Sequence, residues 1–153
     1  MKTIATLIIL LSSQYGHNTG RMCVVDYINT YAPIAVEEMH KTGFPASVKL
    51  AQGILESGYG TSYLARVKNN HFGIKYRWYR LYKNYRVYCS AKESYKDHSD
   101  YLCERVPHLW DCGSDWVCWC EKLNKSGYAG SPDYGELLKT IIRDYKLFML
   151  DKI

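Results

Sequence analysis

No run in this 153-residue sequence is apolar over the length of a membrane-spanning helix, which takes about 20 residues. The apolar run from Thr3 to Leu11 is far shorter. Internal repeats and low-complexity segments are also missing, and charged residues form only 23% of the chain against 47% for hydrophobic ones. These absences exclude stable membrane insertion, a repeat architecture and a disordered chain. The length then predicts one folded domain.

The N-terminal segment has the order of residue types found in secretory signals, which is basic, then apolar, then small and polar. Lys2 precedes the apolar run, and Ser12 and Ser13 follow it. An A-x-A cleavage site is missing, so a buried first strand or helix stays open as the alternative. We expect residues 1–20 to be a signal peptide and linker. Residues 21–153 are then the folded domain of a protein exported to the periplasm, cell envelope or medium.

Six cysteines form an even set, which in an exported chain predicts disulfide bonds without fixing their pairing. A zinc site is disfavoured because Cys112, Cys118 and Cys120 do not have the usual spacing of ligand pairs. Cys118 and Cys120 also lie two residues apart in a helix-like stretch and point in different directions. We therefore predict disulfides, no metal and no cofactor.

Helix-breaking residues mark the first two predicted helices. Pro33 can open a helix that runs to Lys41, and Gly43 supplies its stop. Pro45 is then placed as the first residue of the next helix. The two helices are joined by a short link.

In the second predicted helix, apolar residues recur at helical spacing on one face and polar residues on the opposite face. Glu56 lies in its last turn, before Ser57 and Gly58 end the helix. The negative end of the helix dipole and any burial both favour the protonated form of the Glu56 carboxyl. The apolar face consists of Val48, Ala51, Ile54 and Leu55, and the opposite face of Lys49, Gln52 and Glu56.

The rest of the chain predicts one hairpin and further helices. Aromatic and β-branched residues alternate with basic ones over residues 72–88, which is typical of a hairpin. Ser90 and Glu93 have the spacing of a capping box that opens a helix. Helical stretches follow over residues 115–123 and from Pro132 onward. The predicted fold is α+β, mainly α, with about five helices and a small β-hairpin.

Residues 57–92 contain no Asp or Glu, yet carry eight Lys or Arg side chains interleaved with nine aromatic ones. Such a basic, aromatic surface suits either single-stranded nucleic acid or a glycan that bears acidic peptide stems. The net charge of +5 favours an anionic partner without choosing between them. Glu56 at the edge of this segment favours the glycan, so we expect no nucleic-acid partner.

Four segments of the sequence resemble one known family. They are PASVKLAQGILESGYGTS at residues 45–62, NNHFGIK at 69–75, YKDHSDYL at 95–102 and GYAGSPDY at 127–134. In this order they are similar to the endo-β-N-acetylglucosaminidase domain of bacterial autolysins, flagellar wall hydrolases and phage lysins. The resemblance covers about residues 24–147 and is highly specific.

The resemblance implies a lysozyme-like fold and hydrolysis of the β-1,4 bond that follows N-acetylglucosamine in peptidoglycan. It makes Glu56 the general acid and places Tyr128 in the cleft near the reaction centre. The protein would act as a monomer on the glycan strands. The candidate substrate-binding residues are Gln52, Tyr59, Asn70, Phe72, Tyr76 and Trp78.

The sequence departs from the family pattern at the second acidic residue that many relatives carry after the FGIK segment. Glu93 is the next carboxylate, and its capping position explains it without catalysis. A mechanism with two carboxylates needs a partner at a defined separation. The alternative is attack by the substrate's own 2-acetamido oxygen, for which one acid suffices, and Tyr128 could orient that group. Nearby Lys and Arg would oppose protonation of Glu56.

Other functions remain open from the sequence. A muramidase or a lytic transglycosylase would use the same glutamate on another bond or with another product. A wall-binding module that has lost catalysis would retain the groove without the reaction. A nucleic-acid binder would lose affinity steeply with salt.

Overall fold

The computed structural model describes residues 23–76 and 84–153. These residues contain six α-helices, two 3₁₀ helices and one isolated antiparallel bridge, between Lys75 and Tyr85. The prediction of a mainly α fold is confirmed. The α-helices are α1 (Val24–Thr42), α2 (Ala46–Ser57), α3 (Tyr63–Lys68), α4 (Ala91–Arg105), α5 (Trp116–Lys125) and α6 (Tyr134–Asp144), and the 3₁₀ helices are η1 (Pro107–Cys112) and η2 (Leu147–Lys152).

Helix α1 begins at Val24 and contains Pro33 in its interior, so the prediction that Pro33 opens the helix was wrong. An interior proline removes a backbone hydrogen bond and costs about 3 kcal/mol. Tyr27 and Ile28, which precede it, are fully buried in the core, and burial of side chains of this size offsets that cost. The helix ends as predicted at Gly43, whose φ of 76° is left-handed.

Helix α2 is the central element, because α1, α5, α6 and η2 all pack against it. Lys49 and Gln52, assigned from the sequence to a face opposite the apolar one, are both 0% exposed. The polar face is therefore buried as well. Lys49 tolerates this position because its Nζ donates to the Tyr95 carbonyl at 2.9 Å and to Ser99 Oγ. Of this helix, only the end that carries Glu56 reaches the surface.

Helices α5 and α6 approach each other closely at Gly135. A Cβ at this position would lie 2.7 Å from the backbone oxygen of Cys120. The Gly135 N–H also donates to Asn124 Oδ1 at 3.0 Å, which fixes the first turn of α6 against α5. The small residue thus sets where α6 begins.

The base of the predicted hairpin lies beside α4. The Tyr76 N–H donates to the Asn84 carbonyl and the Arg86 N–H to the Ile74 carbonyl, both at 2.9 Å. Residues 77–83, including Trp78, lie outside the described part of the chain, so the hairpin itself stays a prediction.

One disulfide joins η1 to α5, between Cys112 and Cys118. Four cysteines are free among the described residues: Cys23, Cys89, Cys103 and Cys120. Across residues 23–76 and 84–153, no helix has both the length and the apolar character needed to span a membrane.

Candidate active site

Glu56 is carried to the surface by the end of a buried helix. Helix α2 ends at Ser57, and Gly58 continues with a left-handed φ of 55°. The Ser57 hydroxyl donates to the Gly53 carbonyl and accepts from the Gly60 N–H at 2.7 Å. These bonds hold the turn, so the position of the Glu56 backbone is fixed by the core.

The Glu56 side chain lines a groove with a volume of about 550 Å³. Of the described residues that line the groove, Glu56 is the only one with a carboxylate. The lining residues come from the end of α2, the segment after α3, the end of α4 and the loop after α5. They are Glu56, Phe72, Gly73, Ile74, Lys75, Tyr76, Tyr101, Arg105, Tyr128, Ala129 and Gly130.

The pKa of the Glu56 carboxyl is raised above its ordinary value of 4.5, chiefly because surrounding protein atoms remove part of its hydration. A hydrogen bond from the Tyr134 hydroxyl to Glu56 Oε1, at 2.9 Å, acts in the opposite direction. The carboxyl is exposed on the side that faces the groove. It therefore keeps its proton to a higher pH than a free glutamate would.

A short hydrogen-bonded chain lies behind Glu56. The Tyr134 hydroxyl donates to Glu56 and accepts from Gln52 Nε2 at 3.1 Å. Tyr134 is 3% exposed and Gln52 is fully buried, so Gln52 lies behind Tyr134 and does not line the groove. Tyr134 was not among the site residues predicted from the sequence. The available signal was its place at the end of the 127–134 segment.

Tyr128 lines the groove and is held by a buried histidine. Its hydroxyl lies 3.1 Å from His98 Nε2, and the His98 ring stacks on Phe72 with centroids 3.9 Å apart. Burial lowers the pKa of His98 well below its usual value, so the ring is neutral. Tyr128 thus has a fixed orientation toward the groove.

The remaining predicted site residues are placed in different ways. Asn70 is buried, and its amide bonds the backbone of Ile74 and Arg86, which holds the base of the predicted hairpin. Tyr76 is 52% exposed and lines the groove. Tyr59 is 40% exposed but is not among the lining residues. Trp78 lies outside the described residues.

Glu93 lies at the first turn of α4, away from the groove lining. The Ser90 hydroxyl accepts from the Glu93 N–H at 3.3 Å, and Glu93 Oε2 accepts from the Cys89 N–H at 3.0 Å. These bonds cap the helix and account for Glu93. In the part of the chain that the structure describes, no group of three or more His, Cys, Asp or Glu side chains is placed to hold a metal ion.

A family model described as mannosyl-glycoprotein endo-beta-N-acetylglucosaminidase matches residues 32–147, which is most of the chain. The chain belongs to this glucosaminidase family. The resemblance seen in the sequence is thereby confirmed.

Two curated relatives are similar over most of this chain. It is 27% identical to the exo-glucosaminidase LytG of Bacillus subtilis, covering 84% of this chain and 53% of the relative. It is 24% identical to the peptidoglycan hydrolase FlgJ of Pseudomonas aeruginosa, covering 80% of this chain and 37% of the relative. The chain thus spans about half or less of the length of the curated relatives it matches.

A solved structure shares the fold. The catalytic domain of the autolysin Auto from Listeria monocytogenes superposes with a TM-score of 0.72 at 24% identity. The match covers 92% of this chain and 93% of that one. This chain therefore spans almost the whole of that catalytic domain.

Proposed function

We propose that the protein is a peptidoglycan hydrolase that cleaves glycan strands internally, at the β-1,4 bond after N-acetylglucosamine, with Glu56 as the general acid. The observation that carries the proposal is that Glu56 has a raised pKa and is the only carboxylate among the described residues that line the groove. Membership of the glucosaminidase family and likeness to a peptidoglycan hydrolase support the substrate.

A mechanism assisted by the substrate fits a groove in which Glu56 is the only carboxylate among the described lining residues. Glu56 donates its proton to the glycosidic oxygen while the 2-acetamido oxygen of the N-acetylglucosamine attacks the anomeric carbon and the leaving sugar departs. Water then opens the cyclic intermediate and returns a proton to Glu56. Residues 77–83 contain no Asp or Glu, so this segment supplies no second acid.

The nature of the new sugar end tests the bond that is cleaved. Purified peptidoglycan is digested, reduced with borohydride and analysed by mass spectrometry. The proposal predicts reduced N-acetylglucosamine at the new ends. Reduced N-acetylmuramic acid would indicate a muramidase, an anhydro sugar would indicate a lytic transglycosylase, and wall binding without new reducing ends would indicate an inactive binding module.

Replacing Tyr128 with Phe tests the proposed role of its hydroxyl in orienting the acetamido group. We expect kcat to fall on the order of 10-fold, because one hydrogen bond made in the transition state is lost. Tyr63→Phe removes the same atom at an exposed position outside the groove lining and serves as the matched control, with unchanged kcat. Undiminished turnover of Tyr128→Phe would remove this role.

Replacing Tyr134 with Phe tests the hydrogen bond to Glu56. The hydroxyl stabilises the carboxylate and lowers its pKa, so its removal raises the Glu56 pKa further. A general acid acts only while protonated, so the alkaline limb of the profile of kcat/KM against pH moves to higher pH. Tyr63→Phe, at an exposed position on α3, should leave the profile unchanged. A limb that stays in place or moves to lower pH would contradict the proposal.

We further infer that the protein acts outside the cytoplasm, with residues 1–20 as the export signal, and that it acts as a monomer. The proposed substrate lies in the cell envelope, which supports export. Determination of the N-terminus of the secreted protein tests the signal, and its molar mass in solution tests the monomer.

A further inference from the structure

Two cationic side chains line the same groove as Glu56. Lys75 lies at the antiparallel bridge, and Arg105 is the last residue of α4. Lys75 Nζ is 5.1 Å from the centroid of the Tyr85 ring, and the central guanidinium carbon of Arg105 is 4.6 Å from that of Tyr101. Contact with a ring face orients each cation but leaves its charge and its N–H donors available.

Among the residues that the structure describes, no carboxylate neutralises either of these two cations. Some basic side chains outside the groove pair with carboxylates, as Arg86 does with Asp97 at 2.6 Å. Within residues 23–76 and 84–153, Lys75 and Arg105 have no such partner. The segment between these ranges contains no acidic residue that could supply one. The groove therefore keeps a net positive charge.

The chemistry of the ligand explains why this charge is useful. The sugar on the glycone side of the proposed cleavage is neutral, so recognition of that sugar needs no cation. The peptide stems carried by alternate sugars bear free carboxylates, which Lys and Arg bind through charge-assisted hydrogen bonds. Neither cation is among the groups that shift the pKa of Glu56, which fits a role toward another part of the ligand.

We propose that Lys75 and Arg105 form a subsite for the carboxylates of the peptide stems, so that the protein prefers strands whose stems are charged. This inference rests on the proposed function. Both side chains are exposed, and contacts of exposed ion pairs are weak. We therefore expect the two together to change kcat/KM about 3- to 10-fold, mainly through KM, and less at high salt.

The test compares two forms of one substrate. Soluble peptidoglycan fragments are used as they are, or after carbodiimide coupling with ammonia has converted the stem carboxylates to amides. The native protein should cleave the charged form about 3- to 10-fold more efficiently. The double variant Lys75→Gln/Arg105→Gln should lose this preference by losing efficiency on the charged form alone.

A matched control removes the same total charge elsewhere. Arg66 and Lys146 are exposed, lie outside the groove lining and have no ion-pair partner among the described residues, so Arg66→Gln/Lys146→Gln should keep the preference. Lys75→Arg should keep it as well, and thermal unfolding of each variant checks that it is folded.

Three results would overturn the inference: no preference in the native protein, a preference that survives in the Lys75/Arg105 double variant, or an equal loss by that variant on both substrates. The last would mean that the cations act on the reaction and not on the stems. If the native protein released no new reducing ends from either substrate, the proposed function itself would fail.

Discussion

Replacing Glu56 with Gln should reduce the release of reducing ends from peptidoglycan by on the order of 10²- to 10⁴-fold, the usual contribution of a general acid. Glutamine retains the size of the side chain and accepts the hydrogen bond from Tyr134, but it has no acidic proton to give. Binding of the protein to insoluble peptidoglycan should be retained. Initial rates of native protein and variant on the same peptidoglycan measure the effect.

The matched control is Glu93→Gln. This change makes the same carboxyl-to-amide replacement at the next acidic residue in the sequence, at a position that caps α4 outside the groove lining. It should leave the rate within about 2-fold, because glutamine can fill the same capping position and the side chain does not line the groove. A Glu56→Gln protein that degrades peptidoglycan at the native rate would end the proposal that Glu56 is the acid.

Replacing Gly135 with Ala should destabilise the fold by about 1–3 kcal/mol, the usual cost of overpacking a close contact. The new methyl group would lie 2.7 Å from the Cys120 carbonyl oxygen and 3.0 Å from Asn124 Cβ. Because the nearest atom belongs to the backbone of α5, the start of α6 must move away. Urea unfolding monitored by tryptophan fluorescence gives the change in the free energy of unfolding.

Gly130→Ala is the control for this change, because no atom lies within 4 Å of the position that its Cβ would take. It should alter the free energy of unfolding by no more than about 0.5 kcal/mol. Tyr134 is the first residue of α6, so Gly135→Ala should also disturb its contact with Glu56. Equal stability of the two variants would refute the tight contact between α5 and α6.

The sequence predicted helix boundaries where a single residue determines the local backbone. Gly43 and Gly58 have positive φ and end α1 and α2, and Ser90 caps α4. The predicted boundary at Pro33 was wrong, because Pro33 lies inside α1. The burial of residues on both sides of the proline outweighs the local loss of helix stability. Packing of this kind depends on the whole fold and leaves no local signal.

The buried polar residues of α2 could not be predicted for the same reason. Lys49 and Gln52 follow the spacing of a solvated face, yet both are in the core. Their partners, Tyr95 and Tyr134, lie 46 and 82 residues away in sequence. Whether a polar side chain is buried depends on such distant donors and acceptors.

The candidate site was only partly accessible from the sequence. Glu56 and Tyr128 both line the groove, and both were predicted from the segments that resemble the family. The motifs did not indicate that Tyr134 contacts Glu56 while Tyr128 contacts His98. The turn before α6 determines which tyrosine contacts Glu56, because it places Tyr134 next to the end of α2.

Titration of the Glu56 carboxyl in the ligand-free protein shows whether this side chain holds its proton in the groove. The side-chain carboxyl carbon is followed by carbon-13 NMR against pH and assigned by its absence in Glu56→Gln. Since burial outweighs the hydrogen bond from Tyr134, we predict a midpoint above 4.5. A midpoint at or below 4.5 would mean that the groove does not favour the protonated form of Glu56.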